Sequence, residues 1–172
     1  MQSVDLLADA FGRVSEGVQR AVKGLATTDL VYRPDAAANS VAWLVWHTSR
    51  VQDHHVSEIA GVPQAYIMDG FADALGLPPD PGDVGYGHSS EQVANIQPDD
   101  PTILVDYHDA VTRHTLAYLA TLDAKKLDRI IDDSYDPPVS VGVRLVSVVN
   151  DNLQHVGQAN YVRGLIERSG FA

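Results

Sequence analysis

Apolar residues recur at the helical period of about 3.6 residues along four long segments of the chain. The segments cover residues 4–25, 41–60, 101–122 and 141–168. No segment alternates apolar and polar residues at every second position, so little β-sheet is expected. The pattern predicts an all-α protein with four long helices.

Residues that favour helix ends lie at these boundaries. Ser40 can cap the second helix, and Gly61 can end it. The pair Asp100-Pro101 is typical of a helix start, and Ser140 can cap the fourth helix, whose predicted end is Gly170. The helix boundaries are therefore indicated independently of the apolar pattern.

The connection between the second and third helices is long, covering residues 61–100. Its first part, residues 64–75, is compatible with a short helix, and the remainder is rich in Pro, Gly and Asp. A loop of this length in a compact domain is either functional or a crossover between helices. Because the chain shows neither an internal repeat nor a domain boundary, we predict one domain over residues 1–172. The expected fold is a four-helix bundle with one long connection between the second and third helices.

Composition and charge exclude several classes of protein. The chain has no cysteine, which excludes disulfide bonds, cysteine-ligated metals and a cysteine nucleophile. Its net charge is −11, from 23 acidic and 12 basic residues without a basic cluster, so nucleic acid is not an expected partner. The first residues do not resemble a secretory signal, and no apolar run approaches the ~18 residues of a membrane span. We therefore expect a cytoplasmic protein without a membrane partner.

His47 lies in the most apolar part of the second helix, one turn after Trp43 and one turn before Val51. It is therefore expected to point inward. A buried imidazole needs partners for its nitrogens, which a hydrogen bond within the core or a metal ion can supply. For His47 alone, a hydrogen-bonded core histidine is the simpler interpretation.

The fourth helix carries a polar block within its apolar pattern. Asp151 and His155 are four residues apart, so they share one helical face, and Arg144 and Gln158 lie on the same flank. Alone, such a pair is compatible with a solvated polar edge. Together with His47 from another helix, it provides three ligands and an open position, which is typical of a divalent metal site in a helical bundle. We therefore predict that His47, Asp151 and His155 bind one divalent ion.

The second helix offers a competing set of ligands. His54 and Glu58 are four residues apart, and His54 lies on the same face as His47. Because His47 and His54 are about 10 Å apart along the axis, they cannot share one ion. We predict that His54 borders the pocket and that His55 faces solvent. The remaining histidines, His88, His108 and His114, are interpreted as surface or loop residues. For His88, a position facing the pocket is the alternative.

Three stretches of the chain form a recognisable combination: RPDAAANSVAWLVWHTSRVQDHH, GYGHSSEQV and VRLVSVVNDNLQHVGQANYVRGL. They resemble the DinB-like superfamily, in the branch that includes mycothiol-dependent maleylpyruvate isomerase, and WLVWH and DNLQHVGQ are the most specific parts. The resemblance implies a four-helix bundle in which a His of the second helix and an H/E-x-x-x-H pair of the last helix bind a divalent metal. These positions are His47, Asp151 and His155. Asp151 replaces the His or Glu of relatives and is one methylene shorter than Glu, so direct and water-mediated binding both remain open.

A site of two histidines and one carboxylate suits Zn²⁺, Ni²⁺, Mn²⁺ or Fe²⁺, and we expect Zn²⁺ or Ni²⁺. Because the chain has no cysteine, a thiol reaction needs a small-molecule thiol. The resemblance implies a thiol such as mycothiol or bacillithiol. It therefore also implies a metal-dependent transferase or isomerase that acts on a small-molecule substrate. Two alternatives remain open. One is a metal-dependent hydrolase with His54 or Glu58 as general base, and the other is a non-catalytic metal- or ligand-binding protein of stress response.

No catalytic residue is assigned from the pattern. Arg144 has two interpretations: it steers an anionic substrate, or it pairs with Asp151. The oligomeric state is open between a monomer and a homodimer formed through helix faces. The residues predicted to border the substrate pocket are Trp43, His54, Arg144 and Gln158.

Overall fold

The computed structural model of the protein describes residues 2–169, so the predicted helix end at Gly170 lies outside the described residues. The described part of the chain is mostly helical and contains one small antiparallel sheet. In chain order the elements are α1 (Ser3–Val22), α2 (Thr27–Leu30), α3 (Val41–Ala60), α4 (Ala65–Met68), α5 (Phe71–Ala74), α6 (Ser90–Ala94), α7 (Thr102–Leu119), α8 (Ala124–Leu127), β1 (Ile130–Asp132), β2 (Val139–Ser140) and α9 (Val141–Ser169).

The four long helices correspond to the four apolar segments of the sequence. Both α1 and α3 pack against α7 and against α9, and the buried apolar side chains between them form two core clusters. The contact between α3 and α9 matters most for function because these helices carry the predicted metal ligands. No helix in the described range is long and apolar enough to cross a membrane.

The predicted ends of α3 are confirmed. The Ser40 hydroxyl accepts a hydrogen bond from the Trp43 backbone N–H at 3.1 Å, and Gly61 ends the helix in the left-handed region at φ 69°. Residues 64–75 form two short helices rather than one, separated by Gly70 at φ 77°. The hairpin of β1 and β2 was not expected from an all-α pattern, and its short strands give no periodic signal.

The middle of α3 buries a charged side chain that the apolar pattern does not reveal. Arg50 has 0% of its surface exposed. Its guanidinium donates to the backbone carbonyls of Asp80, Pro81 and Asp83 at 2.9–3.2 Å and lies 4.0 Å from the centroid of the Tyr66 ring. A buried guanidinium requires this many acceptors because each unpaired N–H costs free energy. Arg50 thus attaches the long connection to α3.

Asp53 lies one turn after Arg50 and is also buried, with its carboxylate 3.8 Å from the guanidinium. The carboxylate accepts hydrogen bonds from the backbone N–H groups of Ala65 and Tyr66 and from the Tyr107 hydroxyl, at 2.8–3.0 Å. Burial raises the pKa of Tyr107 well above its ordinary value, and the nearby Asp53 carboxylate acts in the same direction. The pair therefore joins α3, α4 and α7 at one point.

His108 was predicted at the surface, and this prediction is wrong: its side chain on α7 has 0% exposure. Ser49 donates its hydroxyl proton to the Val45 carbonyl, so its oxygen is left to accept from His108 Nδ1 at 3.1 Å. The Nε2 atom of His108 is buried and has no hydrogen-bond partner. Burial lowers the pKa of His108 to about 4. The imidazole is therefore neutral in the folded protein near pH 7.

We expect His108 to make the fold acid-sensitive. Between the ordinary pKa of 6.5 and about 4, the unfolded chain binds a proton at His108 that the folded chain does not. Stability is therefore present above pH 6.5 and falls as the pH drops, by ~1.4 kcal/mol per pH unit and about 3 kcal/mol over the window. Urea unfolding at several pH values measures this loss.

The comparison variant is His108→Leu, which lacks the titrating group. Between pH 7 and pH 4, the free energy of unfolding of this variant should fall by about 3 kcal/mol less than that of the wild type. His114→Leu is the matched control, because His114 lies exposed on the same helix. It should keep the pH dependence of the wild type, and equal acid sensitivity in all three proteins would contradict the prediction.

Candidate metal centre

The structure brings the three predicted metal ligands together between α3 and α9. His47 Nε2 lies 3.8 Å from Asp151 Oδ2, and His155 Nε2 lies 3.6 Å from Asp151 Oδ1. The centroids of the two imidazole rings are 4.5 Å apart with the ring planes nearly perpendicular. One ligand atom from each residue lies within 4.8 Å of the other two. The arrangement can therefore surround a single cation.

Hydrogen bonds on the far side of each imidazole direct its Nε2 atom toward Asp151. His47 Nδ1 donates to the backbone carbonyl of Val84, and His155 Nδ1 lies 3.2 Å from the side-chain oxygen of Gln158. A nitrogen that donates its proton to such an acceptor leaves the other ring nitrogen with a free lone pair. This pattern is typical of metal-binding histidines.

The charges of the three residues depend on one another. Burial lowers the pKa of His47, whereas the adjacent Asp151 carboxylate raises the pKa of His155. Burial also acts to raise the pKa of Asp151, but the neighbouring imidazoles of His155 and His47 act in the opposite direction and lower it overall. Asp151 is thus ionised at neutral pH, and its Oδ2 atom is buried without a hydrogen-bond partner. A cation between the imidazoles would complete the coordination of this oxygen.

The three residues line a cavity of about 860 Å³. Part of its wall is apolar and is formed by Val51, Val84, Val139 and Val148. The exposed rings of Tyr86 and Tyr135 also line the cavity. Its polar wall includes His55 and Arg144. A concave, partly apolar space next to convergent polar atoms is the usual form of a small-molecule site.

Two of the four predicted pocket residues, Trp43 and Arg144, line this cavity. His54 does not, and its Nδ1 atom lies 3.1 Å from the Pro81 carbonyl. Gln158 contacts His155 but lines a separate, smaller cavity of about 480 Å³. The sequence pattern put His54 on the face of His47, and it could not show that the long connection packs over that position.

His55 takes the place in the cavity that was predicted for His54, so its predicted solvent-facing position is wrong. It lies eight residues after His47, and its Nδ1 atom accepts a hydrogen bond from Arg144 Nη1 at 3.0 Å. Burial and the neighbouring Arg144 charge lower the pKa of His55. The imidazole is therefore neutral, and it presents its other ring nitrogen as an N–H group.

Arg144 pairs with Glu58 at 3.5 Å and with Asp132 at 3.6 Å, rather than with Asp151 as one of its two interpretations proposed. His54, His55 and Glu58 also place ligand atoms within 4.8 Å of one another. However, the Arg144 guanidinium contacts two members of this group, and its positive charge opposes a second cation there. Glu58 is exposed and outside the cavity lining, which does not favour it as a general base.

Residues 83–88 form a segment that packs against His47, and the helical pattern of the chain does not predict this contact. Gly85 has φ +88°, and a Cβ atom built on it would lie 2.8 Å from Trp46, 3.0 Å from Trp43 and 3.1 Å from His47. His88, for which a pocket-facing position was the alternative, does not line the cavity and instead accepts a hydrogen bond from the Trp43 indole. The glycine-rich GYG sequence before His88 was the available indication that the backbone makes a close approach here.

We expect Gly85→Ala to destabilise the protein by about 1–3 kcal/mol and to weaken metal binding, because the new methyl group strains the backbone and displaces the ring of His47. Gly87→Ala is a matched control: Gly87 has φ +76°, but an added Cβ would meet no atom within 4 Å. Chemical unfolding and Zn²⁺ titration of both variants separate backbone strain from steric overlap. Equal losses of metal affinity in the two variants would contradict the role assigned to Gly85.

Comparison with known proteins finds a family model and a solved structure that each match nearly the whole chain. A family model described as Mycothiol-S-transferase matches residues 6–168. The solved structure of a conserved protein from Enterococcus faecalis superposes with a TM-score of 0.89 at 28% sequence identity. That match covers 96% of this chain and 98% of the other. Among curated proteins nothing matches the chain.

Proposed function

Because the chain belongs to the mycothiol-S-transferase family, we propose that it is a metal-dependent transferase or isomerase that uses a small-molecule thiol of the mycothiol or bacillithiol type. The observation that carries the proposal is the convergence of His47, Asp151 and His155 on one point at the wall of a cavity large enough for a small molecule. The sequence itself has no cysteine, so the reacting thiol is a cosubstrate.

The donor set fits a divalent ion. Two imidazole nitrogens and one carboxylate oxygen are the ligands of many catalytic zinc sites, in which a fourth position stays open for water or substrate. The buried, unpartnered Asp151 Oδ2 and the outward Nδ1 contacts of both histidines support this fit. We propose Zn²⁺ or Ni²⁺ as the ion, with His47, Asp151 and His155 as its ligands.

When bound, the ion supplies Lewis-acid chemistry that lowers the pKa of a thiol toward neutral pH. The residues of the chain do the remaining work of binding and orientation. Apolar cavity residues such as Val51 and Val148 exclude water from one side of the substrate, while His55 presents an N–H donor on the polar side. In a transfer reaction the thiol proton passes to water, the sulfur bonds to an electrophilic carbon, and the leaving group departs with its electron pair.

We further infer that the chain forms a single domain with a four-helix bundle architecture. The support is that α1 and α3 each pack against both α7 and α9, so the four long helices enclose a common interior. The ligands then lie on two facing helices of the bundle, where rigid backbones hold them at constant separation.

The test of this function is elemental analysis of the purified protein, followed by calorimetric titration with mycothiol and with bacillithiol. We expect one equivalent of divalent metal per chain and heat of thiol binding in the metal-loaded protein only. S-methylated mycothiol is the matched control, because it lacks the ionisable thiol. Turnover is then measured with 1-chloro-2,4-dinitrobenzene, from which the thiol sulfur displaces chloride.

Each result of this test has a distinct meaning. A protein that binds no metal refutes the proposal. Metal binding without a thiol response supports instead a non-catalytic metal-binding protein. Equal heats for mycothiol and its S-methylated form show that the sulfur is not the reacting atom, and this also counts against the proposed transferase.

A further inference from the structure

A chain of hydrogen bonds connects the 83–88 segment to Trp43. The Trp43 indole N–H lies 3.1 Å from His88 Nδ1, and His88 Nε2 lies 2.8 Å from Asp83 Oδ1. Indole nitrogen can only donate and carboxylate oxygen can only accept. His88 Nδ1 must therefore accept, and its proton is on Nε2, where it is donated to Asp83. A single protonation arrangement satisfies the whole chain.

The indole that this chain holds lies against the imidazole of His47. The two rings stack with their centroids 4.7 Å apart and their planes only 10° from parallel. Trp43 and His47 are one helical turn apart on α3, so backbone geometry brings the rings together but leaves their rotation about the side-chain bonds free. The hydrogen bond from Trp43 to His88 restrains the rotation of the indole.

The same segment contacts His47 directly. The Val84 carbonyl, next to Asp83 in sequence, accepts the proton of His47 Nδ1. The segment is held on α3 from the other side by Arg50, whose Nε donates to the Asp83 carbonyl at 2.9 Å. One short stretch of chain thus restrains both the plane of the His47 ring and the nitrogen that carries its proton.

From these contacts we infer that Asp83 and His88 are positioning residues for His47. Asp83 orients His88, His88 orients the Trp43 indole, and the indole keeps the His47 ring with Nε2 directed at Asp151 and His155. The inference rests on the proposed metal binding for its purpose. Its structural content, the orientation and protonation of His47, belongs to the metal-free protein and is measured there.

The first experiment uses metal-free protein and ¹⁵N NMR of the histidine side chains. We expect wild-type His47 to show a protonated Nδ1 and an unprotonated Nε2 at pH 7.5. His88→Phe removes the acceptor for Trp43, and we expect a mixture of His47 tautomers and a shifted Trp43 indole N–H signal. His88→Gln offers one acceptor and one donor in place of the imidazole, so it should restore the wild-type signals. His114→Phe, at an exposed position of α7, controls for the substitution itself.

The second experiment is Zn²⁺ titration of the same variants. Residues that orient a metal ligand typically alter affinity 10- to 100-fold when they are removed. We therefore expect His88→Phe and Asp83→Ala each to raise the Kd by at least about tenfold, and His88→Gln to stay within about threefold of wild type. Because the effect passes through the indole N–H, His88→Phe should add little to the loss caused by Trp43→Phe in the double variant.

Wild-type His47 signals and Zn²⁺ affinity in folded His88→Phe would overturn the inference, as would fully additive losses in the double variant. If His88→Phe does not fold, Asp83→Ala and Trp43→Phe provide the same comparison. Failure of wild-type protein to bind Zn²⁺ refutes the proposed function but leaves the tautomer measurement interpretable. The two proposals are therefore tested separately.

Discussion

Replacing His47 with alanine is expected to raise the Kd for Zn²⁺ about a hundredfold or more and to abolish copurification of the metal. Four ligands together supply an apparent ~10–16 kcal/mol in zinc-finger peptides, so the loss of one ligand costs on the order of 3 kcal/mol. The remaining pair, Asp151 and His155, lies on one helix, so it would contact an ion from one side only. Elemental analysis and calorimetric Zn²⁺ titration measure the effect.

The matched control is His114→Ala, which removes an exposed imidazole from α7 and should bind one equivalent of Zn²⁺ like the wild type. Circular dichroism establishes that both variants keep their helical content. If His47→Ala still carries one equivalent of tightly bound metal, the assignment of the site to His47, Asp151 and His155 is wrong. The tight site must then lie elsewhere, and the group of His54, His55 and Glu58 would be the next to examine.

Replacing Arg50 with methionine is expected to lower the free energy of unfolding by about 3–5 kcal/mol, as is usual when one partner of a buried ion pair is removed. Asp53 would keep its backbone donors but lose the adjacent positive charge, and the carbonyls of residues 80, 81 and 83 would lose their donor. For a domain of this size, the loss corresponds to a decrease in Tm on the order of 10 °C. Chemical unfolding and calorimetry measure both quantities.

Arg113→Met serves as the control because Arg113 is exposed on α7, and its unfolding should stay within about 0.5 kcal/mol of wild type. The Arg50 variant should also bind Zn²⁺ more weakly, since the segment that contacts His47 is attached through Arg50. A similar Tm for the Arg50 and Arg113 variants would show that the buried guanidinium contributes no net stability.

The helices were predictable because their signals are local. In α3 a serine cap, an apolar first half and a terminal glycine each indicate the same boundaries, and the structure has α3 at Val41–Ala60 as expected. The short helices and the hairpin were not predicted. Each is only a few residues long, too short for a periodic pattern, and depends on packing against the long helices for its stability.

In the candidate site, too, some residues could be predicted from local sequence patterns and others could not. His47, Asp151 and His155 could be proposed from spacing within helices, and the structure brings them together because α3 packs on α9. The exchange of His54 for His55 could not be predicted, since it depends on where the long connection crosses the helix surface. The same holds for Asp83 and His88, whose roles come from contacts between segments about 40 residues apart in sequence.

Arg50, Asp53 and His108 illustrate a second limit. Charged and polar residues are mostly exposed, so a pattern analysis assigns them to the surface. They are buried here because each has partners from distant parts of the chain, such as the carbonyls near Asp80 for Arg50 and the Ser49 hydroxyl for His108. Their burial is a property of the tertiary fold and has no local sequence signal.

The ligands of the candidate site lie about a hundred residues apart along the chain, on α3 and α9. A growing polypeptide on the ribosome presents His47 long before Asp151 and His155 exist, and one imidazole alone holds an ion weakly. Loading of the proposed site would therefore follow synthesis and folding, and the ion acquired would be the one supplied where folding finishes. An ion at a hundred times its Kd stabilises the folded state by about 2.7 kcal/mol. If the site binds an ion as proposed, metal starvation would shorten the lifetime of the protein against proteolysis in addition to removing the proposed activity.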